Sequence, residues 1–406
     1  MLREDWIDRH YIASHTEGFD ALQTLVQDYT PAAVSSVCGI HPEQLIQATR
    51  WFVGVDDQGQ RPHHHNAHAT LSLYCQGLNQ SSSGTAKNAA LINLHLATGQ
   101  IGRPGAGPFS LTGQPNAMGG REVGGLANLI SAHRDMTNPE HRQEVAKLWG
   151  IADVPAKPGK TAVEMFQAAA DGEIKALWIA CTNPAQSMPN QATVRRALER
   201  AEFVVVQEAF ATAETCAFAD LLLPATTWGE KEGTVTNSER RVTRVRAAVP
   251  PPGQARHDWQ IVVDLAQRLL KSPGIAADKT KLHMGYTSPE EIWLEHRAST
   301  RGRDLDITGM RYDLLQEGPL QWPMPEGAQE GKARLYEDGV YPTPSGRAKF
   351  AALPYVPTSE VRESRFPFSL NTGRLRDQWH GMTRTGVIGK LFGHVDRKST
   401  RLNSSH

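Results

Sequence analysis

The feature that most constrains the fold is a strand–helix–strand pattern between residues 175 and 207. Residues 175–180 (KALWIA) and 203–207 (FVVVQ) are apolar runs of strand length. Between them, Asn190 can cap a helix whose apolar residues recur at helical spacing, at Val194, Ala197, Leu198 and Ala201. The pattern predicts a βαβ unit, and therefore a parallel, buried sheet. Ligands of such sheets bind beyond the carboxyl ends of the strands, here Asn183 and Glu208 with their neighbours.

Length, charge and cysteine usage narrow the class of protein. The chain has 406 residues, too many for one ordinary core, so we expect two or three domains. Its 43 basic and 43 acidic side chains cancel, which argues against a general nucleic-acid binder. No apolar run in the sequence approaches the length of a membrane span. The four cysteines lie far apart and offer no disulfide framework.

A glycine-rich segment, residues 102–125, is the second strong feature and is called the glycine loop below. It holds eight glycines and three prolines in 24 residues, which argues against a helix or a central strand. Loops of this length in compact proteins are usually functional or disordered. Because the segment also carries Phe109, Leu111 and Met118, we expect an ordered loop that lines a site.

Donor-rich loops recur along the chain and suggest a polar, anionic ligand. Amides, hydroxyls, guanidinium groups and exposed backbone N–H groups together suit a pyrophosphate. For any one of them, a satisfied loop amide or a surface pair explains the residue equally well. The histidines at 63–65 are interpreted as a solvated loop, and no metal ligand is predicted. The candidates are Gly77, Asn79, Gln80, Gln114, Arg121, Asn183, Thr212, Asn237, Arg240, Thr372, Gly373 and Arg374.

Four segments carry a family resemblance: YCQGLNQSSSGT (74–85), residues 88–125 ending in MGGREVGG, residues 204–241 beginning VVVQEAFATAET, and NTGRLRDQWHGMTRTG (371–386). They resemble the molybdopterin oxidoreductases of the dimethyl sulfoxide reductase family, most closely its assimilatory, nitrate-reducing branch. The likeness covers nearly all of residues 1–395, and the part ending in REVGG is the most specific.

The resemblance implies a molybdenum ion held by the dithiolenes of two molybdopterin guanine dinucleotides, together with a [4Fe-4S] cluster in an N-terminal domain. The implied reaction is the reduction of nitrate to nitrite by oxygen-atom transfer in the cytoplasm, with no membrane or nucleic-acid partner. Its electron donor would be a ferredoxin, a flavodoxin or an NADH-linked reductase. A formate dehydrogenase-type relative is the alternative, because it shares the guanine-binding loops.

Within this resemblance, Arg121 is the candidate substrate residue, since a guanidinium fork can hold two oxygens of nitrate side by side. Met118 would line the approach to it. The alternative, that Arg121 binds a cofactor phosphate or pairs with Glu122, stays open.

The cofactor residues follow from the same resemblance. Glu208 or Asp220 would accept hydrogen bonds from the guanine edge, with Thr212 beside that contact. Other positions match the family around the pterins: Gln80, Gln114, Arg374, Gln378 and His380.

The family's four-cysteine cluster motif and its molybdenum-ligating cysteine have no counterpart in this sequence. We therefore expect a fragment that is inactive by itself, with the cluster ligands outside it. Residues 396–406 (DRKSTRLNSSH) match a reading-frame translation of a common sequencing adapter, so they are left out of the fold prediction.

The resulting fold prediction is α/β, with parts of two Rossmann-like domains that hold parallel sheets, followed by the start of a β-barrel-like cap domain. Residues 1–122 would be part of a molybdopterin oxidoreductase domain, and residues 123–270 a second α/β domain that binds the guanine dinucleotide. Residues 271–340 would connect these to the beginning of the cap at 341–395.

Overall fold

The computed structural model describes residues 1–56, 58–60, 68–272, 284–368, 381–382 and 384–392. Helices alternate with short sheets, of which three are parallel and two antiparallel, and this confirms the α/β prediction. The helices are α1 Arg9–His15, α2 Phe19–Leu25, α3 Pro31–Cys38, α4 Pro42–Val53, α5 Gln76–Asn79, α6 Gly84–Ala97, α7 Ala117–Glu122, α8 Pro139–Trp149, α9 Ala162–Asp171, α10 Pro184–Ser187, α11 Gln191–Arg200, α12 Asp258–Leu270, α13 Pro289–Ser299, α14 Tyr312–Glu317 and α15 Gly389–Phe392.

Most of the strands are short, and each pairs with only one or two others. Three of the five sheets have two strands, and the other two have three. The strands are β1 Thr16–Glu17, β2 Leu71–Tyr74, β3 Gly107–Ser110, β4 Leu129–Ile130, β5 Arg134–Asp135, β6 Ala176–Ala180, β7 Phe203–Glu208, β8 Leu221–Pro224, β9 Gly233–Thr236, β10 Arg241–Val245, β11 Leu320–Gln321 and β12 Ala348–Lys349.

The predicted βαβ unit is confirmed as β6, α11 and β7. The two strands are parallel, with Trp178 opposite Val205, and β8 extends the sheet in parallel on the far side of β7. Helix α11 begins after Asn190, whose side chain accepts a hydrogen bond from the backbone N–H of Thr193. The carboxyl ends of β6 and β7 therefore lie on the same edge, as the sequence predicted.

Within the described residues one face of this sheet packs on α9 and α11 and the other is covered only in part, which corrects the prediction of a fully buried sheet. On the other face Trp178 is 41% exposed, and Phe203 and Leu221 are exposed as well. Apolar side chains on both faces of a strand can be read from the sequence, but the segments that cover each face cannot. The covered face contacts α9 and α11 and consists of Leu177, Ile179, Val204 and Val206, each contributing about 1.5–3 kcal/mol when fully buried.

The glycine loop contains regular structure, so the prediction of a loop throughout is wrong. Residues Gly107–Ser110 form β3, which pairs in parallel with β2 from Leu71 to Tyr74. Pro108 fits there because β3 pairs only with β2 among the described strands, so one side of β3 needs no donor. Residues Ala117–Glu122 form α7 despite two internal glycines, because hydrogen bonds from its ends fix it to β9.

The segment expected to connect two domains carries a core of its own. Helices α13 and α14 and strand β11 lie within residues 284–340, and β11 joins the antiparallel hairpin of β9 and β10. Leu305, Ile307 and Met310 are fully buried in a cluster that also includes Val242 of β10. The predicted domain boundaries remain a prediction.

Residues 341–350 pack on the N-terminal helices. Strand β12 pairs in parallel with β1, and Phe350 contacts the ring of Phe19 in a cluster that includes Ile12. Between residues 341 and 368, β12 is the strand that the structure contains, and the described part of the chain forms no closed barrel. Tyr341, Ala348 and Phe350 join an existing core, and the beginning of a cap domain at 341–395 stays a prediction.

No helix in the described ranges is both long enough and apolar enough to cross a membrane.

Candidate functional site

Asn183 joins the two strand ends of the predicted ligand edge. Its Oδ1 accepts hydrogen bonds from the backbone N–H of Thr215 at 3.1 Å and from the Thr215 hydroxyl at 2.7 Å. Its Nδ2 donates to Glu214 at 2.5 Å, and this bond lowers the pKa of the Glu214 carboxyl. Asn183 therefore ties the loop after β6 to the loop after β7.

Glu208 is a buried carboxylate at the carboxyl end of β7. Its Oε1 accepts hydrogen bonds from the backbone N–H groups of Ala209 at 2.7 Å and Phe210 at 3.3 Å. The guanidinium of Arg384 lies 3.9 Å from the same oxygen and 5.6 Å from the Phe210 ring centre. Among the described residues, Oε2 has no hydrogen-bonding partner, so it can accept from a ligand.

The C-terminal family segment reaches this edge as well. Nε2 of Gln186, in α10, donates a 3.0 Å hydrogen bond to the carbonyl of Gly381. Together with the Arg384–Glu208 contact, this places the end of the segment beside the strand ends. The predicted site residues Thr372, Gly373, Arg374, Gln378 and His380, and the histidines at 63–65, lie outside the described residues.

Gln207 was expected at this edge from its place at the end of a strand, but sequence reasoning missed its partners Asp258 and Lys231. Gln207 is 2% exposed, and its Nε2 donates to Asp258 at 2.8 Å while its Oε1 is buried without a partner among the described residues. Lys231 donates to the other oxygen of Asp258 at 2.7 Å. Burial opposes ionisation of Asp258, but the bonds from Lys231 and Gln207 prevail and lower its pKa.

Cys181 completes this group, which is called the strand-end cluster and consists of Cys181, Asn183, Gln207, Glu208 and Asp258. Desolvation, followed by the charges of Asp258 and Glu208, raises the pKa of the Cys181 thiol to about 11. The thiol is therefore protonated at neutral pH and is a poor nucleophile. The sequence signal for Asp258 was weak: it is an acidic residue in the first turn of an apolar helix, where the helix dipole favours a negative charge.

The other predicted guanine acceptor, Asp220, lies at the opposite end of the sheet. Its carboxylate accepts a 2.7 Å hydrogen bond from the backbone N–H of Val204, near the start of β7. The structure therefore separates Asp220 from Glu208. Thr212 is exposed in the loop that follows β7, on the same side as Glu208.

A second group of predicted residues follows the carboxyl ends of β2 and β3. Nδ2 of Asn79 donates to the Ser110 hydroxyl at 3.3 Å, which joins the loops after these two strands. Gly77 is exposed with open space around its α-carbon, and Gln80 and Gln114 are exposed. These groups are accessible to a ligand.

Helix α7 presents Arg121 at the end of the glycine loop. Arg121 is half-buried, and its guanidinium has no hydrogen-bonding or ionic partner among the described residues. The alternative pairing with Glu122 is not formed, because the Glu122 carboxylate accepts from Thr236 at 2.9 Å and from the Trp322 indole at 2.5 Å. Met118 packs against the core cluster around Trp322 rather than standing free.

Asn237 and Arg240 serve the β9–β10 hairpin. Oδ1 of Asn237 accepts from the backbone N–H groups of Glu239 and Arg241, each at 3.0 Å. The guanidinium of Arg240 donates to the carbonyls of Trp322, Lys332 (3.2 Å) and Ala333 (3.0 Å) and lies 5.2 Å from the Trp322 ring centre. The N–H groups of Arg240 therefore bind carbonyls of this chain, which leaves fewer of them for a phosphate.

The segment from Lys231 to Thr236 links the two groups of loops. Lys231 donates to Asp258 beside the strand-end cluster, while the backbone N–H of Thr236 donates to Asn116 beside α7 at 2.9 Å. The hydroxyl of Ser238 accepts from the backbone N–H of Thr112, after β3. The β9–β10 hairpin therefore contacts the glycine loop, and Lys231, just before the hairpin, contacts the strand-end cluster. A large ligand that spans several loops would fit this arrangement.

Comparisons with known proteins identify the family of this chain. Residues 56–268 match the family model of the molybdopterin oxidoreductases. The chain is 43% identical over 393 residues to a nitrate reductase of Synechocystis, covering 95% of this chain and 52% of that protein. It is 32% identical over 403 residues to the F420-dependent formate dehydrogenase subunit alpha of Methanocaldococcus jannaschii, covering 99% and 55%.

A solved structure shares the fold. Acetylene hydratase from Pelobacter acetylenicus superposes with a TM-score of 0.56 at 15% sequence identity, covering 87% of this chain and 48% of that one. The chain belongs to the molybdopterin oxidoreductase family. It spans about half the length of the curated relatives named here.

Proposed function

We propose that this chain carries cofactor- and substrate-binding loops of a molybdenum-dependent nitrate reductase. The observation that carries the proposal is Arg121, a guanidinium on the glycine loop with no partner among the described residues. Charged side chains that are partly buried are normally paired, so an unpaired one at a site suggests an anionic ligand. The 43% identity to a nitrate reductase supports nitrate as that anion.

The strand-end cluster suits the guanine end of a molybdopterin guanine dinucleotide. Guanine presents N–H donors, and the cluster offers two acceptors without described partners, Oε1 of Gln207 and Oε2 of Glu208. Asn183 would hold the two loops in place, with Thr212 beside them. Asp220 would take no part, since it is bound at the other end of the sheet.

The second dinucleotide would lie along the loops after β2 and β3. Gly77, Gln80 and Gln114 offer exposed amides and a backbone that a phosphate can approach closely. The side-chain amide of Asn79 would fix this loop, since it bonds to Ser110 and Asn88. The family resemblance adds residues 372–374, Gln378 and His380 around the pterins. No group of three His, Cys, Asp or Glu side chains in the described residues could hold a metal ion.

In the reaction, this chain binds and orients the anion. The Arg121 fork would donate hydrogen bonds to two nitrate oxygens and leave the third directed away from the guanidinium. Nitrate takes up two electrons and two protons and leaves as nitrite and water, and the bound molybdenum cofactor supplies this oxygen-atom transfer. Met118 would contribute an apolar wall, since its side chain is anchored in the neighbouring core.

The remaining features of the proposal rest on the family resemblance. They are a [4Fe-4S] cluster whose ligands lie outside this sequence, a ferredoxin, flavodoxin or NADH-linked electron donor, and a cytoplasmic location. A formate dehydrogenase-type activity is the second candidate, because of the 32% identity to a formate dehydrogenase subunit. Formate is also a small planar anion that an arginine can hold.

The test is an assay of the enzyme containing this chain, loaded with molybdenum and reduced by a viologen dye. We expect nitrate to reoxidise the dye and to yield one nitrite for every two electrons. Protein from tungstate-grown cells is the matched control and should be inactive. Formate-dependent dye reduction without nitrite formation would instead establish the second candidate.

A further inference from the structure

Glu122 is a buried acid next to the proposed substrate arginine. It is 4% exposed, and each oxygen of its carboxylate accepts one hydrogen bond. The hydroxyl of Thr236, in β9, donates to one oxygen at 2.9 Å, and the indole N–H of Trp322 donates to the other at 2.5 Å. The carboxylate therefore joins α7 to two other segments that are distant in sequence.

The backbone around Glu122 adds two further links. Its carbonyl accepts a 2.8 Å hydrogen bond from the N–H of Ala132, which lies in a left-handed conformation. At the other end of α7, Asn116 accepts from the backbone N–H of Thr236 at 2.9 Å. Both ends of this six-residue helix are thus fixed to β9, although so short a helix is not stable alone.

Arg121 leaves α7 in a different direction from Glu122, because adjacent helical residues are about 100° apart around the axis. One residue faces the core and is bonded on both oxygens, while the other has no partner among the described residues. The hydrogen bonds of Glu122 fix the rotation of α7 about its axis, and this rotation determines the direction in which Arg121 leaves the helix.

We propose that Glu122 is a positioning residue that fixes α7 so that Arg121 is presented to the substrate. This inference rests on the proposed function of Arg121. The two hydrogen bonds that Thr236 and Trp322 donate to Glu122, called the clamp below, are a property of this chain and can be measured without the cofactor. Its physical basis is that a buried hydrogen-bonded acid cannot move without leaving Thr236 and Trp322 as unsatisfied buried donors.

The first test measures backbone hydrogen exchange by mass spectrometry. Glu122→Ala should speed exchange of residues 117–125 by about tenfold or more, while α11 stays unchanged. Glu122→Gln should restore slow exchange, since an amide can accept from Trp322 and donate to the Thr236 hydroxyl. Glu317→Ala removes an exposed glutamate and is the matched control. Equal acceleration in α11, or none at residues 117–125, would overturn the clamp.

Thr236→Val provides a second variant if Glu122→Ala fails to fold, because it removes one donor and keeps the shape of the side chain. We expect it to speed exchange at residues 117–125 by about threefold to tenfold. No change in exchange would count against the proposal.

The second test measures nitrate kinetics of the loaded enzyme per bound molybdenum. Glu122→Ala should raise the nitrate KM by about tenfold, and Glu122→Gln should keep it within about threefold of the unaltered enzyme. A purely structural role would lower the amount of loaded enzyme without changing KM. If Arg121→Lys leaves KM unaltered while exchange still responds to Glu122→Ala, the substrate role of Arg121 fails and the clamp stands.

Discussion

At the scale of single residues, the structure separates predicted side chains by what they already bind. Arg240 and Asp220 have their polar groups taken up by the chain's own backbone. Arg121 and one oxygen of Glu208 do not, among the described residues. A sequence shows that such residues are present, but partner geometry decides which of them remains available to a ligand.

A lysine at position 121 should keep the positive charge but not the function of Arg121. Arg121→Lys keeps the positive charge and loses the planar fork, so we expect the nitrate KM to rise about tenfold or more at unchanged molybdenum content. Steady-state kinetics of the loaded enzyme measure this. Arg334→Lys, at an exposed arginine paired with Glu337, is the control and should behave as the unaltered enzyme. An unchanged KM in Arg121→Lys would remove Arg121 from substrate binding.

The pH dependence of stability should carry a signature of Glu122. Burial raises the pKa of its carboxyl above the ordinary value of 4.5, although the bonds from Thr236 and Trp322 oppose the shift. The folded state therefore holds the proton more tightly than the unfolded state, and this stabilisation is present below pH 4.5 and is lost as the pH rises through the folded pKa.

Glu122→Gln removes that titration. Urea unfolding between pH 4 and pH 8 should show the unaltered protein losing stability relative to Glu122→Gln as the pH rises. A constant difference across this range would contradict the prediction.

At the scale of elements, local pattern predicted the βαβ unit correctly and the glycine loop incorrectly. Strand β6 and helix α11 follow from apolar spacing and from the Asn190 cap, which act over a few residues. Strand β3 and helix α7 depend on β2, Thr236 and Trp322, which lie far away in sequence. Composition therefore identified the loop as important without showing its structure.

Alanine substitutions at the two glycines inside α7 should change the unfolding free energy differently. A Cβ at Gly119 would lie 2.1 Å from Oδ1 of Asn116, which holds the backbone of Thr236, whereas nothing lies within 4 Å of a Cβ at Gly120. Gly119→Ala should cost about 1–3 kcal/mol of unfolding free energy through overpacking. Gly120→Ala should be neutral, or stabilising by up to about 1 kcal/mol, since alanine favours helix. Denaturant unfolding measures both, and equal effects would show that α7 is not held as described.

At the scale of the whole molecule, the apolar sheet face of Trp178, Phe203 and Leu221 stands out. All-parallel sheets are normally covered on both faces, and exposed apolar patches mark surfaces that bind or aggregate. Within the described residues, α9 and α11 cover one face only. The isolated chain should therefore self-associate through the other.

Trp178→Ser should reduce this self-association without unfolding the chain. Sedimentation velocity should show a smaller weight-average mass, and the unfolding free energy should change by less than about 1 kcal/mol, as for surface substitutions. Ile179→Ser, one position along on the covered face, is the contrast and should cost about 3 kcal/mol or more. Unchanged association in Trp178→Ser would show that the face is not the contact.

The sequence by itself determined the α/β class, the βαβ unit and the family. These follow from apolar periodicity, helix capping and motifs contained within short stretches of chain. Only the tertiary structure decided that Asp220 and Glu208 lie at opposite ends of one sheet, and that Asp258 and Gln207 share the strand-end cluster. It also decided that Tyr341, Ala348 and Phe350 complete the N-terminal core. The physical reason is that pairing of buried polar groups and coverage of apolar faces depend on contacts between distant segments, which no local pattern encodes.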